Sequence, residues 1–310
     1  MAVPYGRLKQ RGVALITAML VVVVATVAAA AMASRQQLDI RRTANVLNAD
    51  QAWAYVEGVE DWSKVILIRD QKDNQIDHPG EIWASQLAPI AVDGGQIIGR
   101  LTDQQGLFNL NNLFNGTSVS NPDVAVLRRL MELLGLDPDS LNALLDWMDA
   151  DQDARFPGGA EDNDYLLLNP AYRAANRSLT SVTELAAIKG FDAAAVSRLT
   201  PFVTVLPERT PINVNTAPAE VLQALHADLS QADVQTLITV RGENGFASVN
   251  DFLAQPALAG REIPVELAVA SGYFLLDAQV DIGLARSQAF MLLRRDDGKV
   301  TTLWRSRGVW

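Results

Sequence analysis

The stretch Gln10-Arg11-Gly12-Val13-Ala14-Leu15-Ile16-Thr17-Ala18-Met19-Leu20, continued through Val21-Val22-Val23-Val24 to Ser34, decides the fold. Residues 12–34 contain no Asp, Glu, Lys or Arg. An uncharged run of that length crosses a hydrocarbon core of ~30 Å as a helix. Arg7, Lys9 and Arg11 precede it, and basic residues on that side favour a cytoplasmic N-terminus. The chain is therefore expected to be delivered to, or anchored in, a membrane.

Three readings of the segment stand side by side. The first is a secretory signal cleaved after Ala31-Met32-Ala33, although the apolar run exceeds the roughly 7 to 15 residues of a signal h-region and continues into a helical pattern. The second is a plain signal anchor. The third rests on the junction Gln10-Arg11-Gly12/Val13-Ala14-Leu15-Ile16-Thr17, which resembles a type IV prepilin processing site. There the leader 1–12 is removed after Gly12, and Val13 opens a helix that is retained. In pilin-like families the fifth mature residue is usually Glu; here it is Thr17. A carboxylate inside a bilayer is costly unless paired, and a subunit with Thr17 has no carboxylate to satisfy.

The rest of the composition describes a protein with a substantial core. At 310 residues the chain suits one sizeable domain or two moderate ones. The formal net charge is −10, and loss of a leader with three basic residues and no acidic one takes it to −13. Such a chain is a poor partner for a phosphate backbone. There is no cysteine, which excludes a disulfide framework and thiolate metal sites.

Residues 35–68 keep a helical period, with Ala52, Val56, Val59, Trp62 and Ile66 at three- and four-residue steps. One helix of about fifty residues is predicted, membrane-embedded in its first half and amphipathic in its second. Trp53, Tyr55 and Trp62 are expected in the core it covers. After a loop at His78-Pro79-Gly80, Gln96 to Leu101 reads as a strand following Asp93-Gly94-Gly95. From Pro122 to about Val269 the pattern is mostly helical. Strands return at Tyr273–Val280, Gln288–Arg294 and Val300–Arg305, the last two joined by an Asp296-Asp297-Gly298 hairpin. The order predicts an α+β domain with a helical insertion: leader 1–12, membrane part 13–34, amphipathic helix and first strands 35–110, insertion 111–271, closing strands 272–310.

The densest polar segment runs from Asp146-Trp147-Met148-Asp149-Ala150-Asp151-Gln152-Asp153 to Gly159-Ala160-Glu161-Asp162-Asn163-Asp164, with seven carboxylates in nineteen residues. Hard oxygens beside a Gly-rich turn are what Ca²⁺ takes. Ala154 and Ala160 stand where an EF-hand loop needs Gly and a bidentate Glu, so a different calcium loop is expected. Its ligand candidates are Asp149, Asp151, Asp153, Glu161 and Asp162, with Asp164 as a weaker one. A solvated acidic loop without an ion is the competing reading. Crowded carboxylates repel unless something positive sits among them, and Arg155 is the one basic residue in the run. A hydrolase would use two of these carboxylates as acid and base, but no nucleophile, phosphate loop or histidine pair accompanies them.

Pro211-Ile212-Asn213-Val214-Asn215-Thr216-Ala217-Pro218, continuing to Phe252-Leu253, resembles a helix-hairpin-helix module of DNA-uptake receptors. The hairpin Leu225-His226-Ala227-Asp228-Leu229 lacks the glycines that hold phosphate, and Asp228 would repel it. Ser181-Val182-Thr183-Glu184-Leu185 carries a related pattern and hints at an internal duplication. Both segments are read as scaffold.

Together with Asp103-Gln104-Gln105-Gly106-Leu107-Phe108-Asn109-Leu110-Asn111, these blocks resemble the K-type minor pseudopilin family of the type II (general) secretion pathway over nearly the whole chain. The resemblance implies a pseudopilin fold: a long N-terminal helix packed on a small antiparallel sheet, with a large all-α insertion between strands. It implies structural calcium in the insertion, processing by prepilin peptidase, and a single pass through the inner membrane of a Gram-negative bacterium with the C-terminal domain in the periplasm. It also implies a non-enzymatic role at the pseudopilus tip with I- and J-type minor pseudopilins, the H-type being a further partner, and no nucleic acid. The competing reading is a membrane-anchored helix-hairpin-helix DNA-uptake receptor.

Overall fold

The computed structural model describes residues 11–85 and 89–308; positions 1–10 of the expected leader lie outside them. Helix α1 (Arg11–Asp73) runs unbroken for 63 residues, about 95 Å at 1.5 Å per residue. Among the described residues it is the one helix long and apolar enough to cross a membrane. From Val13 to Leu47 its side chains are exposed, so the helix projects far beyond the domain that its last third covers.

That last third buries Ala52, Val56, Val59, Ser63 and Leu67. The inward stripe follows steps of four, three, four and four, the helical period. Trp62, placed on the stripe by sequence, is instead 44% exposed, because the period from Val59 brings Ser63 inward. Ser63 fits there by donating its hydroxyl to Val59 O at 2.7 Å. Ile66, Trp53 and Tyr55 are half-buried at the margin of the same core.

The helix lies on five strands in sequential antiparallel order: β1 (Ile90–Val92), β2 (Gly95–Asp103), β3 (Tyr273–Ile282), β4 (Ala285–Asp296) and β5 (Lys299–Arg307). Alternation on β3 sends Phe274, Leu276, Ala278, Val280 and Ile282 to the helix. Four strands, β2 to β5, and the β4–β5 hairpin at Asp297-Gly298 match the sequence expectation. The short β1 had no alternation to announce it. Gly95 starts β2 where a Cβ would lie 1.7 Å from Asp281 O, so no larger residue fits. Glu60, buried in α1, binds Lys64 Nζ (2.7 Å), Arg305 Nε (2.7 Å) and Thr302, and so ties the helix to β5.

Between Asp103 and Tyr273 the chain builds a second body with its own core, around Phe108, Leu127, Leu144 and Phe252. Its helices are short: α2 (Asn121–Leu133), α3 (Ser140–Met148), α4 (Asp162–Tyr165), α5 (Ala193–Leu199), α6 (Ala219–Ala224), α7 (Gln231–Arg241) and α8 (Val249–Leu253). Long irregular connections join them, together with two parallel bridges that pair Phe108–Asn109 with Val203–Thr204 and Ile212–Asn213 with Leu267–Ala268.

These bridges mark two equivalent units, larger than the hairpin repeat that the sequence suggested. In the first, Asn111 Oδ1 accepts from Leu179 N–H (3.0 Å), while its amide donates to Leu179 O and Leu206 O. In the second, Asn215 Oδ1 accepts from Phe246 N–H (2.7 Å), while its amide donates to Phe246 O and Val269 O. In each unit two helices follow the asparagine, α2 and α3 before the strap Leu179 and α6 and α7 before the strap Phe246. The first unit places residues 149–178 between its second helix and its strap, where the second unit has only 242–245. The acidic segment is this extra loop.

Candidate metal centre and the neck of the insertion

Asp146, fully buried in α3, organises the acidic loop. Its Oδ2 accepts the backbone N–H groups of Arg155 (3.0 Å) and Ala160 (2.9 Å). Gly159 passes so close that a Cβ would lie 2.3 Å from that oxygen. The loop is therefore closed through main-chain bonds to one carboxylate. Asp146 Oδ1 and Asp149 Oδ2 both receive the Arg155 guanidinium, the first at 2.5 Å.

Carboxylate oxygens of Asp149, Asp151 and Glu161 lie within 4.8 Å of one another. Asp149 Oδ1 and both Glu161 oxygens are buried with no hydrogen-bond donor. Burial, then the charges of Asp146, Asp149 and Asp151, pushes the Glu161 carboxyl up to about 7. Burial likewise raises Asp149 despite Arg155. Such unmet oxygens suit a hard cation. Of the five expected ligands, the structure brings these three together. Asp153 is exposed, and its backbone N–H donates to Asp151 Oδ1 at 2.9 Å. Asp162 turns to the returning chain, accepting from Ala174 N–H (3.0 Å) and pairing with Arg173 (3.6 Å). Asp164 pairs with Lys189 at 2.9 Å. Sequence reasoning missed the organising role of Asp146; further along the loop, Asn176 donates its backbone N–H to Trp147 O (2.9 Å), and its Oδ1 is buried without a partner.

A second set of converging carboxylates, Asp70, Asp77 and Glu81, sits where the insertion joins the sheet. A protein cation already fills it. Arg295 of β4 gives Nη1 to Asp70 Oδ2 (2.8 Å) and Nη2 to Asp77 Oδ1 (2.6 Å) and Ser271 O (2.8 Å). Asp103, at the end of β2, accepts from Asn213 Nδ2 (3.0 Å), Ser271 Oγ (2.7 Å) and Thr216 Oγ1. Burial raises the Asp103 carboxyl to about 6, and burial with the Glu81 charge raises Asp70 to about 7. The neck thus joins the far end of α1, the sheet and both edges of the insertion. Arg295 is 225 and 218 residues from Asp70 and Asp77, so no local spacing reveals the group.

The hairpin at Leu225–Leu229 is held from inside. Arg129 donates to Ala224 O (2.6 Å) and Leu225 O (3.1 Å), and Arg241 to Val214 O and Ala217 O. These guanidiniums cap carbonyls instead of facing a phosphate. His78 lies against Glu81 (3.6 Å) and His226 against Asp228 (3.9 Å).

Two family models described as "Type II secretion system (T2SS), protein K" match residues 106–208 and 212–271, which are the two units set out by the Asn111 and Asn215 clasps. The type II secretion system protein K of Pseudomonas aeruginosa is 40% identical over 96% of this chain and 93% of its own length. That of Klebsiella pneumoniae is 35% identical over 97% and 98%. Among solved structures, a chain of the GspK-GspI-GspJ complex from enterotoxigenic Escherichia coli superposes with a TM-score of 0.79 at 29% identity, covering 87% of this chain and all of that one. On these likenesses and its two-unit insertion, the chain belongs to the type II secretion system protein K family.

Proposed function

We propose that the chain is a minor pseudopilin carried at the tip of the type II secretion pseudopilus, in a complex with I- and J-type minor pseudopilins. There it starts or caps the filament and supports export across the outer membrane. The observation that carries this reading is where the insertion is attached. Asp77, four residues beyond α1, donates its N–H to Val269 O (2.8 Å) and accepts on its carbonyl from Asn213 (3.2 Å). The insertion therefore sits at the end of α1 opposite the membrane-crossing part, where a subunit stacked above would need room. Thr17 agrees, since its hydroxyl donates to Val13 O (3.1 Å) and Ala14 O (3.0 Å) of its own helix. It asks nothing of a neighbour in the bilayer.

The role is structural, not catalytic. Prepilin peptidase cuts between Gly12 and Val13, the helix remains as a single pass in the inner membrane of a Gram-negative bacterium, and the folded part works in the periplasm. The H-type minor pseudopilin is a further neighbour. Nucleic acid is not a partner: Arg129 and Arg241 are committed to carbonyls, and the chain carries a formal net charge of −10.

The acidic loop holds structural Ca²⁺ through Asp149, Asp151 and Glu161, with Asp153 and Asp162 as outlying members of the expected set. Unpartnered buried oxygens on Glu161 and Asp149 support this fit. The ion would tie the start of the extra loop to its middle and supply the positive charge that Glu161 lacks.

The partner claim is tested by mixing the full chain in detergent with I- and J-type minor pseudopilins. Co-elution at micromolar concentration is expected, and separate elution overturns it. For the ion, chelator should lower the melting temperature and calcium restore it; an indifferent melt removes calcium from the account.

A further inference from the structure

Arg155 is the one basic side chain within the run Asp146–Asp164, and it divides the carboxylates in an unusual way. Its guanidinium takes Asp146 Oδ1 at 2.5 Å and Asp149 Oδ2. Asp149 Oδ1, on the other side of the same carboxylate, is buried without a donor beside the unpartnered Glu161. The guanidinium is not what shapes the loop. Asp146 Oδ2 does that through the backbone N–H groups of Arg155 and Ala160, with Gly159 allowing the close approach. The outlying acids have their own cations, Lys189 for Asp164 and Arg173 for Asp162. The Arg155 side chain is 29% exposed, whereas Asp146 and Asp149 are 0% and 9% exposed. It thus has a way out to solvent that they lack.

We propose that Arg155 is a tethered countercation that competes with calcium for the acidic loop. At low calcium it neutralises Asp146 and Asp149 and keeps buried carboxylates from standing unpaired. At high calcium its positive charge opposes a second cation across the shared Asp149 and so weakens binding. The side chain sets the calcium concentration at which the loop fills, since affinity in such sites follows the local charge count. This inference rests on the calcium reading above.

The test uses the full chain in detergent, titrated with calcium chloride by calorimetry and melted in chelator and in saturating calcium. Arg155→Gln should bind calcium roughly tenfold more tightly, by the Coulomb argument. Its melting temperature should fall in chelator and match wild type in saturating calcium. Arg155→Lys should stay close to wild type in both, which shows that the variants fold. If wild type binds no calcium, the calcium reading fails and this inference with it. If wild type binds but Arg155→Gln binds equally or more weakly, the countercation role alone is overturned. Equal loss of melting temperature in both conditions also overturns it, because a purely structural arginine would behave that way.

Discussion

Arg295 Nη2 lies 2.6 Å from Asp77 Oδ1 and binds both oxygens of that carboxylate, across 218 residues of sequence. The pair links β4 to the segment that leaves α1, and Ser271, where the insertion returns, contacts both partners: its N–H gives 2.7 Å to Asp77 Oδ2 and its carbonyl accepts from Arg295. The orientation of the insertion on the pseudopilin body is therefore fixed by a buried charge pair.

Removing one member leaves the other buried and uncompensated, which costs about 3–5 kcal/mol. Arg295→Met is expected to lower the unfolding free energy by that order and to speed amide exchange at Asn213 and Ser271. Hydrogen exchange by mass spectrometry checks it; unchanged protection at the neck would show that the pair does not hold the two bodies together.

The same region predicts a pH dependence. Burial first, then the Glu81 charge, raises Asp70 to about 7, and burial raises Asp103 to about 6. Folded pKa values above the unfolded ones mean that the folded neck binds more protons. The stability these groups contribute is complete below about pH 4 and is lost as pH rises through about 6 to 7. Melting temperature should fall between pH 5.5 and 7.5, with a shallower fall in Asp70→Asn. Identical slopes in wild type and variant would contradict the assignment.

Glu60 behaves in the opposite sense. Burial alone would raise it, but hydrogen bonds from Arg305, Lys64 and Thr302 hold it at about 2. Its contribution is present above about pH 4.5 and is lost as pH falls toward 2. Glu60→Ala leaves three donors without their acceptor and should cost about 1.5–3 kcal/mol at neutral pH. Urea denaturation at pH 7 and pH 3 should show a smaller difference between variant and wild type at the lower pH.

The two clasps predict matching variants. Asn111→Ala and Asn215→Ala each strip a strap, Leu179 or Phe246, of one acceptor and one donor, and also remove the donor to Leu206 O or Val269 O. Each should destabilise its own unit by about 1–3 kcal/mol, with exchange rising at the strap of the mutated unit first. Equal exchange at both straps in either variant would mean that the units do not behave as separate structural repeats.

Much of the body was legible because alternation and helical period are local signals. The strands beginning at Gly95 and Tyr273, the β4–β5 hairpin and the stripe of Ala52, Val56 and Val59 follow from them. Trp62 was misplaced because an aromatic residue on an amphipathic helix reads as core even when the period turns it outward. The acidic loop was visible as carboxylate density. That density could not separate Asp146, which organises the backbone, from Asp149 and Glu161, whose oxygens converge. Asn109-Leu110-Asn111 and Asn213-Val214-Asn215 were visible as motifs, yet their equivalence depends on straps up to 68 residues away. The neck was illegible for the same reason: Asp70, Asp77, Asp103 and Arg295 meet only once the sheet has closed around the insertion.

The proposed place of this chain at the top of the filament, set by an insertion that occupies the end of α1 where another subunit would stack, has a direct readout. Gold labelling of a tag placed in the exposed turn at Leu284, followed by electron microscopy of isolated pseudopili, tests it directly. Tip placement predicts label at one end of each filament only; label distributed along the shaft would overturn it.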